Sequence, residues 1–354
     1  MTSKKRILNV FSFKSTDRLP VSPHWWGMYK FQLSKIANDF TEEHLTWHYN
    51  GQRLADVDDL FYNTYKPDML HLSGGCSNEQ YDQAFFDERE QLIKAVQQFD
   101  SFAAIDELVS FTCRTSEQTI KSGIYDHVAI HAKNHPDVFI ALNEGNPIGS
   151  IIDAHGFAGF EPGLMAMIEK PKFMERLIFS FYEKYLDQVK VLKAMGADGY
   201  IGSETMCSAD LINPDLWRNL ILPAQRYFYT ELKRIGLIGI AYFTGEITPY
   251  LNDIPSMNAT AIMVEENKKN YTLDIGVITK SLYEKVAVFG NIDSIYDVLL
   301  GTPEQVKKAV ISQIDSLPAK TGFVVSCGSP LAFNTPKENI SAIKEAVCEY
   351  FGVD

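Results

Sequence analysis

Short apolar runs alternate with longer amphipathic segments along this chain, and no other feature restricts its fold as much. In the second half the runs GYIGSE (199–204), IGIAYFT (238–244), TAIMVE (260–265), VAVFGN (286–291) and GFVVSC (322–327) are bounded by glycine or polar residues. Runs of this length, apolar throughout, suit strands buried on both faces. Three more fit RLPVSPHWW (18–26), PDMLHL (67–72) and DVFIALN (137–143). The segments between them carry helix signals. Leu177, Ile178, Phe181, Tyr185, Val189 and Leu192 recur at three- and four-residue steps, which marks one buried helix face. Thr302, Pro303 and Gln305 spell a capping box, and Thr335, Pro336 and Glu338 repeat it. Eight parallel strands separated by helices is the count that closes a (β/α)8 barrel of the TIM type. The stretches over about 30–66 and 77–135 read as helical insertions over its mouth in the N-terminal half. An open doubly wound sheet is the alternative, weakened because no G-x-G-x-x-G or P-loop follows any strand. No linker or repeat divides the chain, so residues 1–354 read as one domain.

A net charge of −12 argues against nucleic acid, which requires a basic face to release counterions. Cys76, Cys113, Cys207, Cys327 and Cys348 are far apart and contain no CxxC pair, as expected of a reduced, cytoplasmic protein. No apolar run approaches the roughly 20 residues that span a bilayer, and the opening MTSKKRILNVFSF lacks a signal-peptide core. A homodimer would be ordinary for such a barrel.

Barrels place their chemistry at the C-terminal ends of the strands. Those ends offer His24, Trp25, Trp26 and Met28; Ser73 and Cys76; Asn143, Glu144 and Asn146; Ser203, Glu204, Met206 and Cys207; Tyr242, Thr244 and Glu246; Glu265 and Glu266; Asn291 and Asp293; and Cys327 and Ser329. Carboxylates with soft sulfur could hold zinc, and the aromatics could wall a pocket for a flat apolar substrate. Each has a plainer reading. Trp25 and Trp26 alternate along a strand, so one of them faces the helices as core. Tyr242 could be a packed layer residue, and Cys113 and Cys348 fall in helical patterns as core thiols. His127, His131 and His135 share a helix face that could bind metal, although that helix leads into the third strand, away from the mouth. Asp68 and Asp198 sit at strand starts, the stability end of the barrel.

Read in order, DRLPVSPHWW, FIALNEGNPIG, NPDLW with LPAQRYF, AYFTGEITPYL, VFGNID and GSPLAFNTPKENISA resemble the uroporphyrinogen decarboxylase superfamily over nearly the whole length. The resemblance implies a (β/α)8 barrel and two branches of activity. The decarboxylases carry arginines just after the first strand for a substrate with many carboxylates. Here His24-Trp25-Trp26-Gly27-Met28-Tyr29-Lys30 occupies that place, and indoles cannot satisfy buried carboxylates. The family's late Gly-His-Gly is Gly328-Ser329-Pro330. Decarboxylation of a porphyrinogen is therefore not expected.

The corrinoid-dependent methyltransferase branch carries His-x-Cys-Gly at the fifth strand and Gly-Cys at the eighth as zinc ligands. This chain has Tyr242-Phe243-Thr244-Gly245 and Cys327-Gly328-Ser329. Of the Glu-x14-Glu-x20-His pattern of the O-demethylating members, Glu231 and Glu246 match but Asn267 replaces the histidine. The resemblance thus implies a methyltransferase moving a methyl group from a small methylated substrate, an aryl methyl ether by the aromatic wall, to a corrinoid on a partner protein. Glu204 and Glu246 are the expected catalytic groups. Glu246 and Cys327 are the expected metal ligands, and His24, Trp25, Trp26, Asn143 and Tyr242 the expected substrate contacts. Two alternatives stand beside it: a lyase of another substrate, and a non-catalytic barrel serving as a binding subunit.

Overall fold

The computed structural model describes residues 1–25, 28–33, 51–75, 81–268 and 270–353. The expected site residues Trp26 and Cys76 lie outside them. Among the described residues seven parallel strands form one sheet in chain order: β1 (Met69–Ser73), β2 (Phe139–Glu144), β3 (Gly199–Ser203), β4 (Ile238–Phe243), β5 (Ala261–Val264), β6 (Ala287–Phe289) and β7 (Phe323–Val324). All lie within the runs expected from sequence or within one residue of them. The exception is the first expected strand, over 18–26, which reduces to a single bridge from Val21 to Val325. Pro20 and Pro23 have no N–H and cannot extend a ladder there. The bridge still joins the two sheet edges. Ser22 N donates to Val325 O (2.9 Å), Val325 N to Pro20 O (2.9 Å), and Asp68 N, just before β1, to Val21 O (2.8 Å). Seven strands with this connecting segment are consistent with a TIM-type barrel.

Strand alternation sorts side chains into two layers. Met69, Phe139, Ala141, Ile201, Ile240, Tyr242, Ala261, Met263, Ala287, Phe289 and Val324 form an enclosed cluster, completed by Ile7, Val10 and Phe11 of the helix Ser3–Phe11. The other strand face packs on the helices, among them Pro171–Ala194, which buries Leu177, Ile178, Phe181, Val189 and Leu192 as its periodicity requires. Each large side chain buried in this way contributes about 1.5–3 kcal/mol. The helix Ser3–Phe11 closes the N-terminal end of the sheet. Lys4 pairs with Asp198 (3.0 Å), and Arg6 and Arg18 both pair with the fully buried Asp68 (2.6 Å each). Asp68 and Asp198 therefore serve the stability end, opposite the mouth.

Between β1 and β2 the described chain forms the helices Gln83–Val96, Phe102–Thr112, Ser116–Ser122 and Asp126–Asn134. The capping box Thr302–Gln305 is present. The one expected at Thr335 is not: the helix starts at Lys337 and Thr335 donates to Ala332 O instead. No helix among the described residues is long and apolar enough to cross a membrane.

Candidate active site at the strand ends

The inward alternation that places Met69, Phe139, Ile201, Ile240 and Met263 inside places His71 and Ser73, Asn143, Ser203, Tyr242 and Glu265 above them at the C-terminal end. Tyr242 is the centre of this layer. Its hydroxyl donates to Gly328 O (3.3 Å), its ring meets His24 edge to face (4.6 Å), and His24 stacks on His71 (4.8 Å). Both histidines are fully buried. Burial holds His24 at about 3 against its bond to Gly328 O, and drives His71 well down, so this floor is neutral. Ser203 Oγ donates to Asn143 Oδ1 (2.7 Å) beside it.

Charge enters from two sides. Lys30 Nζ donates to Ser73 Oγ (3.0 Å) and pairs with the buried Asp58 (2.6 Å). Opposite, Glu265 Oε2 accepts from Gly245 N (2.9 Å) and Tyr271 Oη (3.0 Å). Glu266 accepts from Lys268 Nζ and from Ser329 Oγ (2.8 Å). Gly328 allows this contact, because a Cβ there would lie 2.2 Å from Glu266 N. Desolvation opposes the Lys268 charge, but Glu266 and Glu265 outweigh it and hold its pKa raised; burial and the Glu265 charge likewise raise Tyr271. Beside this edge opens a cleft of about 430 Å³, lined by Glu266, Asp274, Asn291, Asp293, Asp297 and Gln313.

Several expected site residues have other partners or face the helices. Glu204 has the strand parity of Tyr200 and Gly202 and points to the helices. There it accepts from Tyr229 (2.8 Å), Gln225 (2.7 Å) and Asn146, and burial, opposed by these donors, lifts it to about 7. Trp25 packs flat on Phe61 (3.8 Å) as core, not as a pocket wall. Glu246 is spent on its own turn, accepting from Thr248 N (2.7 Å). Cys327 is buried in the helix-side core, and desolvation raises its thiol to about 12. Cys207 is buried beside Glu204 (3.7 Å). Among the described residues no three His, Cys, Asp or Glu donors converge at the mouth, and Glu246 and Cys327, the expected zinc ligands, are not brought into one ligand group. Glu231 pairs with Arg234 (2.7 Å) on the surface.

Sequence reasoning placed His24, Asn143 and Tyr242 at the strand ends and the structure brings them together there. It missed His71, which strand parity could have found, and Lys268 and Tyr271, which no periodicity marks.

The fold and several sequence relatives can be set beside this geometry. A solved methyltransferase from Methanosarcina mazei superposes with a TM-score of 0.74 over 99% of both chains at 16% identity, a likeness of fold. Uroporphyrinogen decarboxylase of Coxiella burnetii (strain Dugway 5J108-111) is 26% identical over 161 residues, 42% of this chain and 43% of that protein. The methylcobamide:CoM methyltransferase MtaA of Methanosarcina barkeri is 24% identical over 226 residues, 63% of this chain and 61% of that protein. The chain thus spans about two-fifths to three-fifths of these curated relatives. The family model for uroporphyrinogen decarboxylase (URO-D) matches residues 148–350, more than half of the sequence, and the chain belongs to that family.

Proposed function

We propose that this protein is a corrinoid-linked methyltransferase acting on a small methylated compound, with an aryl methyl ether as the first substrate class to test. The observation that carries the reading is the charge state of the mouth. Lys30 is engaged by Asp58, and Lys268 by Glu266 and Glu265. A substrate with many carboxylates would have to displace these pairs and leave buried charges unmatched, at several kcal/mol each. The relatives include both decarboxylases and methylcobamide methyltransferases, and a neutral floor of His24, His71 and Tyr242 suits the second.

The corrinoid, carried by a partner protein, supplies the methyl acceptor. The side chains of this chain do the rest. Asn143, partly exposed, meets the substrate above the buried layer of His24 and Tyr242, which keeps water from beneath the transferring carbon. As the bond from carbon to heteroatom breaks, negative charge collects on the heteroatom. The Lys268 ammonium and the Tyr271 hydroxyl, both held protonated beside carboxylates, are placed to meet it. The test is methyl transfer from a panel of methyl ethers, amines and thioethers to cob(I)alamin or a corrinoid protein, with porphyrinogen decarboxylation run alongside. Transfer weakened by Lys268→Met supports the reading. Porphyrinogen turnover, or no transfer from any donor, overturns it.

A further inference from the structure

Away from the mouth, the helices Gly51–Tyr65 and Asp126–Asn134 face each other and bring together three side chains that no part of the proposed chemistry uses. His131, in the second helix, and His135, the residue that caps its C-terminus, have ring centroids 5.9 Å apart. Asp59 stands opposite. Its Oδ1 is 3.2 Å from His131 Nδ1 and 2.7 Å from His135 Nε2, and one donor atom from each of the three residues lies within 4.8 Å of the others. We propose that Asp59, His131 and His135 bind one divalent ion of the zinc type, as a structural tie between these helices.

The donor set is two imidazoles and one carboxylate, which suits zinc and its neighbours and not calcium or magnesium. Zinc–ligand bonds of about 2.0–2.1 Å place tetrahedral donors roughly 3.3 Å apart, so small side-chain rotations suffice. His131 is the second, independent observation. It is fully buried, and neither ring nitrogen makes a well-aligned hydrogen bond among the described residues. Its Nε2 lies 3.5 Å from Asp58 Oδ2, while Nδ1 faces Asp59. An ion on Nδ1 leaves Nε2–H to point at the Asp58 carboxylate, the usual outer partner of a metal-bound histidine. Asp58 is in turn held by Lys30, which donates to Ser73 at the end of β1. Asp59 and His135 keep side-chain exposures of 28% and 13%, so an ion has an entry path and water can fill a fourth position. His127, on the same helix, bonds to Ser73 O (3.0 Å) and is not part of the set.

This inference shares the Lys30–Asp58 pair with the proposed function but uses none of its chemistry, and it stands or falls on metal binding alone. Metal-stripped protein titrated with Zn²⁺ is expected to bind one equivalent and to melt at higher temperature as Zn²⁺ rises. Co²⁺ in its place should give the intense visible bands of a four-coordinate site. Asp59→Asn and His135→Gln change the exposed ligands, which leaves the fold intact, and each should weaken binding at least 100-fold and abolish the bands. His131→Gln tests the buried ligand in the same way. Absence of stoichiometric binding in the parent protein overturns the proposal. So does equal binding by the parent, Asp59→Asn and His135→Gln, or binding lost instead on Glu246→Ala or Cys327→Ser.

Discussion

Glu204 should make the stability of this protein fall between pH 4.5 and about 7. It sits at the end of β3 with 1% exposure, surrounded by Tyr229, Gln225, Asn146 and Cys207. Burial disfavours its charge more than these donors favour it, which raises it from 4.5 to about 7. Below pH 4.5 the folded and unfolded chains both hold the proton. Between 4.5 and 7 the unfolded chain releases it while the folded chain keeps it, so the unfolded state gains. Above 7 both have released it, and the full difference, about 3 kcal/mol, has been lost from the folded state. Glu204→Gln keeps the shape but cannot ionise. Its amide N–H groups meet the Gln225 and Asn146 donors at every pH, a constant loss of about 1–3 kcal/mol. Urea unfolding followed by circular dichroism at pH 4.5, 6, 7 and 8 separates the two effects. The parent should lose its advantage over Glu204→Gln across this range by about 3 kcal/mol. Parallel stability profiles for the two proteins would refute the argument that this carboxyl is buried against its charge.

Other outcomes follow from the same geometry. Asp68→Asn leaves Arg6 and Arg18 without their shared carboxylate and should cost about 3–5 kcal/mol in urea unfolding. Gly239→Ala puts a methyl 2.5 Å from Tyr229 Cδ1 and should cost about 1–3 kcal/mol, read as a lower melting temperature. Tyr242→Phe removes only the long bond to Gly328 O, so stability should fall by about 0.5–1.5 kcal/mol; under the proposed function its larger effect is on KM. Lys268→Met should lower kcat for methyl transfer about 100-fold in the cob(I)alamin assay, and should also lower stability, because the buried Glu266 carboxylate loses its ammonium partner.

The strands were legible because a parallel sheet covered on both faces needs unbroken apolar runs, and GFVVSC or TAIMVE have few other uses. Helix ends were legible where the side chain had no better partner, as at Thr302, and misleading where one was near, as at Thr335. The site was harder. Proximity to a strand end located Tyr242 and His24 but also Glu204 and Cys327. What separates them is parity: Glu204 follows Tyr200 and Gly202 to the helices, Cys327 follows Phe323 and Val325, and Tyr242 follows Ile240 inward. Glu246 met a different fate, since a carboxylate two residues before a free N–H caps its own turn. The meeting of Asp59 with His131 and His135 depends on how two distant helices pack, and only one half of it is written locally.

The bridge from Val21 to Val325 has a kinetic consequence. It unites segments about three hundred positions apart, and the helix Ser3–Phe11 likewise rests on residues from nearly every later strand. Closing so large a loop is entropically costly and is repaid only once the intervening strands are in place. The opening segment can complete its docking only once β7 has formed. Folding should end with this closure as its slow event, and in a nascent chain the segment around Val21 should reach full protease resistance only after synthesis has passed Val325.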